Sequence, residues 1–470
     1  MAGIEDYLHP LKTAYRLSPA SFKHTAGRVY AALPDRVKYG KIYTDAVAEL
    51  NQSQHFSRTE HESLQLKKLQ NLLAHCWKNV PFYQKYWSDH GLQDEAITEL
   101  SDIRRYPMID KALVRENLES LVAEGYRSQL LPFNTGGSTG IPLKFYWERG
   151  RTRSLERAFI HRQWQWGEFT MGQRAAVLRG QTIKYGKHFD PIDNALYLSG
   201  FDLGEDGLNA AIEAMREFQP VCIQAYPSTI NVVAKHMQRY KIPSFDSLKV
   251  ILCGSENIYT EQREMLERVM NCRVYSWYGH GESTVLAGAC EKSNDFHVFS
   301  EYGVTELIDD NDNVLEWEEG VRGELVGTGF NNNAMPLIRY KTADLAVVGA
   351  DQCACGRGYP IIAKIEGRKQ EYVVGPDGEL VALTALIFGQ HHGVFESIKR
   401  MQIEQYVAGQ FLVRVEPDTS WPLDGDSLLR DSIVRVLPSK DRWQVDVQVV
   451  SEIPPTDRGK HRFVIQHLKT

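Results

Sequence analysis

The sequence predicts an α/β protein: a large N-terminal domain with mostly parallel sheets, a β-rich subdomain within it, and a small α+β C-terminal domain. Three observations carry this. Between Ala175 and Tyr275, short apolar runs alternate with helical patterns, and strand–helix–strand alternation builds parallel sheets covered by helices on both faces. From Glu301 to Ala346 the apolar runs shorten and turns crowd in, as at Asp310 to Asn313 and Gly327-Thr328-Gly329. Beyond Gly367-Arg368 the remaining chain is rich in alternating apolar positions, such as Phe411 to Val415 and Val445 to Val450.

The bulk numbers agree with a globular chain. Its 470 residues can bury a sizeable core in two domains or more. With 43% hydrophobic and 24% charged residues, composition is ordinary for a soluble protein. A net charge of −6 leaves no footprint for nucleic acid or anionic lipid. The opening MAGIEDYLHPLKTAYRL has acids and no apolar core, unlike a signal peptide. No long apolar run suggests a membrane span. Seven cysteines in a chain of this length do not read as a disulfide framework. A cytoplasmic monomer or homodimer acting on small molecules is expected.

Residues 1–65 are polar and helix-prone and read as an N-terminal helical extension. From Leu66, the apolar residues Leu69, Leu73 and Cys76 recur at helical spacing until Asn79-Val80-Pro81 stops the helix. A second helical pattern follows Ile109-Asp110 toward Leu121. Then comes FNTGGSTGIPLKFY, Phe133 to Tyr146. Here Gly136, Gly137 and Gly140 let backbone N–H groups face one concavity, and Thr135, Ser138 and Thr139 add hydroxyl donors. Such a nest suits a phosphate chain, although a flexible linker has the same composition. It ends Gly140-Ile141-Pro142 and leads into a strand, so it is not the NTPase P-loop, which ends in Gly-Lys-Ser/Thr and opens a helix.

Ala175 to Leu178, Val221 to Tyr226 and Leu248 to Cys253 read as buried strands, with helices after Ser228 and Thr260. Ligands of such sheets bind beyond the carboxyl ends of the strands. Three polar loops fall there: Tyr226-Pro227-Ser228, Gly254-Ser255-Glu256, and Tyr278-Gly279-His280-Gly281-Glu282. With the glycine-rich loop they are expected to ring one pocket.

In this order the loops resemble those of adenylate-forming enzymes, most closely the phenylacetate–CoA ligase family and its branch among capsule and polysaccharide biosynthesis proteins. The resemblance runs from about Leu69 to the C-terminus. It includes Asn79 to Tyr83, the glycine-rich loop and Tyr226-Pro227-Ser228. It continues through Tyr278-Gly279-His280, Arg339 to Asp344, Gly367-Arg368, and Pro454 to Lys460. It implies an adenylate-forming domain over 66–366 and a mobile C-terminal domain over 367–470. The activity implied is ATP-dependent: a carboxylic acid becomes an acyl-adenylate, then passes to coenzyme A. Transfer to an amine and a catalytically silent nucleotide-binding partner remain alternatives.

The resemblance also assigns roles. The glycine-rich loop would hold phosphates, Tyr278 and Gly279 would lie against adenine, and Gly254, Ser255 and Glu256 would line the nucleotide site. Glu282 would hold Mg²⁺ beside His280. Asp344 and Arg368 would reach the ribose, and Lys460 would bridge carboxylate and α-phosphate, a point-charge task suited to an ammonium. Tyr226, Trp164 and Trp166 are candidates for the acid pocket. Departures from the family pattern fall at Ile141, where lysine is usual, and at Gly281, where a hydroxyl residue is usual. Ala343 replaces a glycine, and the hinge acid is blurred into Gln370-Glu371.

Finally, Cys290 and His297 precede Cys353-Ala354-Cys355 in the β-rich region, about 285–360. Three thiols and an imidazole make a closed tetrahedral shell for a structural Zn²⁺. Buried free cysteines are the alternative, because cysteine is a common core residue.

Overall fold

The computed structural model describes residues 18–134, 143–179, 183, 186–200, 204–368, 373–378, 380–381, 393–437, 442–454 and 462–468. The predicted phosphate loop (Thr135, Gly136, Gly137, Ser138, Thr139, Gly140) and Lys460 lie outside them.

Helix α1 (Ala20–Ala32) leads to α2 (Gly40–Ser53), which buries Tyr43, Ala46 and Leu50 against the main domain. Helix α3 (Arg58–Asn79) starts earlier than the apolar pattern shows. Ser57 closes a capping box, its hydroxyl accepting from Glu60 N–H while the Glu60 carboxylate accepts from Ser57 N–H at 2.8 Å. Leu69, Leu72, Leu73 and Cys76 form its buried stripe. Pro81 ends it and opens α4 (Pro81–Asp89), because proline is tolerated at the first helical position. The pattern after Asp110 becomes a helix only over Lys111–Glu116. The chain then turns, and Ala123 N–H donates to Ala334 O at 2.9 Å.

Strands β1 (Leu130–Asn134) and β2 (Lys144–Glu148) pair antiparallel, flanking the glycine-rich stretch. Helix α5 (Thr152–Trp166) follows. Next come β3 (Ala175–Arg179), β4 (Lys187–Asp190), β5 (Ala195–Ser199), α6 (Glu205–Phe218), β6 (Cys222–Ala225), α7 (Pro227–Arg239), β7 (Val250–Cys253), α8 (Thr260–Met270) and β8 (Arg273–Gly279). The turn-rich region supplies β9 (Leu286–Gly288), β10 (Phe296–Val298), β11 (Gly303–Ile308), β12 (Val314–Leu315), β13 (Arg322–Gly329), β14 (Tyr340–Val348) and β15 (Ile361–Arg368).

All strands from β3 to β15 belong to one 13-stranded sheet, in the order β12-β11-β13-β14-β15-β10-β9-β8-β7-β6-β3-β5-β4. This corrects the expectation of mostly parallel sheets. Only β5, β3, β6, β7 and β8 run parallel; the other neighbours pair antiparallel. Strand β8 is the seam. Its residues Arg273 to Ser276 pair parallel with β7, and Trp277 to Gly279 pair antiparallel with β9. The short hairpins beyond it can only be antiparallel, since parallel neighbours need long crossovers.

In the C-terminal part, β16 (Val373–Val374) and β17 (Leu380–Val381) form a small hairpin. A four-stranded mixed sheet follows, from β18 (Ile398–Val407), β19 (Gln410–Pro417), β20 (Gln444–Val449) and β21 (Val464–Gln466), in the order β20-β19-β18-β21. Helix α9 (Gly425–Val436) covers it with Leu429 and Ile433. This core is a cluster of its own, bounded by Val373 and Val464.

Candidate functional site

The parallel strands β6, β7 and β8 end side by side, so the loops after Ala225, Cys253 and Gly279 emerge on one edge. Two are tied directly: Ser228 N–H donates to the Glu256 carboxylate at 3.0 Å. Proline at position 227 leaves Tyr226, half-buried, as the last residue before α7. Gly254 is required by packing, because a Cβ there would run into the Trp277 ring. Ser255 beside it adopts a positive φ of 70°.

The third loop is held from across the sheet. The Tyr278 hydroxyl donates to Asp344 Oδ2 at 2.7 Å, and the Tyr340 hydroxyl donates to Glu282 Oε1 at 3.2 Å. His280 Nδ1 lies 3.3 Å from Glu282 Oε2, and its Nε2 lies 3.3 Å from Thr284 Oγ1. The structure therefore gathers Tyr278, His280, Glu282 and Asp344, with two carboxylates oriented by phenols. Asp344 is directly opposite Arg368 in the β14–β15 register, so the two ribose candidates are cross-strand neighbours. The Arg368 side chain lies outside the described residues.

Two departures noted in the sequence acquire physical reasons. A Cβ on Gly281 would approach the Phe133 ring at 2.9 Å. That ring stacks on Trp147 at 4.3 Å, and Trp147 Nε1–H donates to Gly281 O at 2.9 Å. Glycine thus lets the loop close over the hairpin that carries the glycine-rich stretch. Ala343 has φ 62°, a conformation glycine reaches without strain. Its N–H donates to Glu324 Oε1 at 3.1 Å. Arg339 of the same segment is buried and structural. It forms a two-bond pair with Glu306, both at 2.9 Å, and donates to Tyr106 O at 2.7 Å.

The aromatic candidates separate. Trp164 packs edge-on against Trp277 at 6.2 Å, directly behind the Gly254 loop. Trp166 lies elsewhere. It stacks on Phe299, meets the His297 ring edge-on at 6.0 Å, and carries the Arg357 guanidinium 4.4 Å above its ring. Its surroundings are those of the cysteine cluster. Residues two apart on a helix lie about 200° around it, so Trp164 and Trp166 of α5 cannot serve one pocket together.

Sequence reading missed Glu156. On α5 its carboxylate accepts from the Tyr302 hydroxyl and lies near Ser283 and His280. Burial pushes this acid up to about 6, opposed by the Tyr302 and Ser283 hydroxyls. Helix α5 buries Thr152, Ser154, His161 and Gln163 as well, so no apolar stripe marked which face is internal.

The second constellation is Cys290, His297, Cys353 and Cys355, whose donor atoms all lie within 4.8 Å of one another. Cys290 Sγ is 3.7 Å from Cys353 Sγ, and Cys355 Sγ is 3.3 Å from His297 Nε2. A tetrahedral zinc with Zn–S bonds of about 2.3 Å sets neighbouring sulfurs about 3.8 Å apart, so these donors fit the ion. Burial pushes the His297 imidazole down, but the facing thiols Cys290 and Cys355 outweigh it and lift it to about 9. Burial likewise pushes Cys355 up, and His297 with the Arg357 backbone N–H reverses this to about 6. Arg357 is anchored by two bonds to Glu291, at 3.0 and 2.9 Å.

No helix among the described residues is long and apolar enough to cross a membrane. Residues 373–467 match the CapK C-terminal domain family. Over 477 aligned residues the chain is 22% identical to Protein CapK of Staphylococcus aureus, covering 98% of this chain and 100% of that protein. It is 24% identical to the phenylacetate–coenzyme A ligase of Thermus thermophilus over 337 residues, 67% of this chain and 72% of that one. A crystal structure of 2-hydroxyisobutyryl-CoA ligase in the postadenylation state, with R3-HIB-AMP, superposes with a TM-score of 0.70 at 20% identity. It covers 88% of this chain and 91% of that one. The chain is thus similar in sequence to Protein CapK and to the phenylacetate–coenzyme A ligases, and it shares the fold of 2-hydroxyisobutyryl-CoA ligase.

Proposed function

We propose that this protein is an ATP-dependent ligase that activates a carboxylic acid as an acyl-adenylate, releases pyrophosphate and passes the acyl group to coenzyme A. The observation that carries this reading is the convergence on the β8 seam of Asp344 and Glu282, each oriented by a tyrosine hydroxyl. An aspartate presents two acceptor oxygens, which suits a pair of ribose hydroxyls. A glutamate close by suits the cation that accompanies a polyphosphate. That magnesium would spread the negative charge of the departing pyrophosphate.

The residues do the rest by positioning, which dominates such displacements. Tyr278 fixes Asp344 and presents its ring at the mouth of the nucleotide pocket. Tyr340 orients Glu282, with His280 Nδ1 3.3 Å from its other oxygen. Trp277 and Trp164, with Trp277 packed tightly against Gly254, back the acid pocket, and Tyr226 stands at its edge. In this reading the glycine-rich stretch 135–142 cradles phosphates, Arg368 reaches the ribose, and Lys460 offsets charge on the α-phosphate. Cys290, His297, Cys353 and Cys355 hold a zinc ion that staples β9, β10 and the segment before β15.

The test is pyrophosphate exchange into ATP with a panel of carboxylic acids and Mg²⁺. Exchange with at least one acid, and AMP release on adding coenzyme A, is the expected result. ADP and phosphate without AMP would overturn adenylation. An amide formed with an added amine, with no thioester, would replace the thiol acceptor by an amine.

A further inference from the structure

Strand β6 parts its side chains between two layers. Ile223 and Ala225 pack into the cluster that holds Leu266 and Met270 of α8. Cys222 joins the opposite cluster, with Trp164 of α5, Leu252 of β7 and Tyr275 of β8. Successive residues of a strand face opposite ways, so Gln224 lies on the Cys222 face, which Trp164 covers. It pairs across the ladder with Val177 of β3 and Leu252 of β7. One rung nearer the carboxyl edge, on that same face, come Tyr226, Gly254 and Trp277. Gln224 therefore stands one rung below the residues proposed for the acid pocket.

Glutamine is seldom buried deeply unless it is bonded. Gln224 is 8% exposed, yet its amide has no hydrogen-bond partner among the described residues. Nor is it sealed. Gln163 Oε1 and Trp164 Nε1 of α5 are unpaired and fully enclosed, whereas the Gln224 amide keeps accessible surface. Ordered water in that space is the competing account. Otherwise an unpaired amide that reaches a gap beside a ligand loop is placed to meet a substrate.

An amide offers a donor at its nitrogen and an acceptor at its oxygen. A methyl or phenyl group answers neither, and the unpaired amide then costs binding energy. A hydroxyl donates and accepts, so it is the smallest group that answers the amide. We propose that Gln224 is a specificity residue, and that the acid activated here carries a hydroxyl on its hydrocarbon part, held by the Gln224 amide. This rests on the ligase reading and narrows its substrate class.

The experiment is pyrophosphate exchange by the full chain with pairs of acids that differ by one hydroxyl. Lactate is set against propanoate, 3-hydroxybutanoate against butanoate, and 4-hydroxyphenylacetate against phenylacetate. At least one hydroxy acid should exceed its partner in kcat/KM about tenfold or more, because the partner leaves the amide unpaired. Gln224→Met, close in size and apolar, should lower kcat/KM for that hydroxy acid about tenfold and erase the preference. It should also raise the thermal midpoint of the ligand-free protein by about 2 °C, since an unpaired buried amide is removed. A glutamine bonded to ordered water or to the protein would lower it instead. Preference for the deoxy acid in every pair, a preference unchanged in Gln224→Met, or a lowered midpoint would each overturn the proposal while leaving exchange intact. Exchange with no acid at all would remove the ligase reading, and the proposal with it.

Discussion

The sulfur cluster and the carboxylate constellation share the antiparallel half of one sheet, yet they are built on opposite terms. Asp344 and Glu282 are each met by a tyrosine hydroxyl, so their geometry is set before any ligand arrives. Cys290, His297, Cys353 and Cys355 face mainly one another. Without an ion, Cys355 and His297 hold each other; the proposed zinc would make all four donors a cross-link. The first arrangement should carry turnover with little effect on stability, and the second the reverse.

The largest effect should come from removing a cluster ligand. Cys355→Ser, or strong chelation of the native protein, should lower the thermal midpoint by roughly 5–10 °C, because metal-binding energy is folding energy. Elemental analysis should find one zinc per chain before treatment and less afterwards. Protein that stays folded should keep its turnover. Collapse of turnover at unchanged stability would make the metal catalytic and erase the contrast.

Asp344→Ala tests the other side. It removes the acceptor proposed for two ribose hydroxyls, each charge-assisted bond worth about 1.5–3 kcal/mol. The ATP concentration for half-saturation should rise about a hundredfold or more, with the thermal midpoint moved by less than about 3 °C. A large loss of stability with unchanged ATP binding would assign Asp344 a structural role.

Glu156 sits between these extremes, buried but close to Ser283 and His280 of the loop after β8. Its folded value is raised to about 6 from an ordinary 4.5. A raised carboxyl contributes stability that is full below the unfolded value and is lost as pH rises through the folded one. Glu156→Gln should therefore gain about 1–2 kcal/mol on the native protein between pH 4.5 and pH 8. Denaturant unfolding across that window would show it, and a flat difference would deny the burial penalty. The smallest effect should be Tyr278→Phe. Losing one bond that orients Asp344 should lower kcat/KM for ATP about tenfold at nearly unchanged stability.

Much of this was legible in the residues. Apolar runs and their flanking turn residues marked β3, β6 and β7, because burial and turn chemistry act over a few neighbouring residues. The loop carrying Tyr278 and Glu282 stood out by its place after a buried strand, and the four zinc candidates by their side-chain chemistry. Asp344, and the roles given to Tyr278 and Glu282, came from the family resemblance and not from local pattern.

Tertiary structure decided what those residues meet. That β8 changes partner between Ser276 and Trp277, fusing parallel and antiparallel strands into one sheet, depends on distant strands competing for its two edges. That Trp166 packs on the cluster while Trp164 packs against Trp277 behind the Gly254 loop depends on which layer covers each face of α5. Gly281 looked like a missing hydroxyl donor until the Phe133 ring was seen over it. Glu156 carried no local sign at all, since only burial beside Tyr302 and Ser283 changes its acidity. Short-range preferences write the elements, whereas pairing, facing and desolvation are set between residues far apart in the chain and exist only once it has folded.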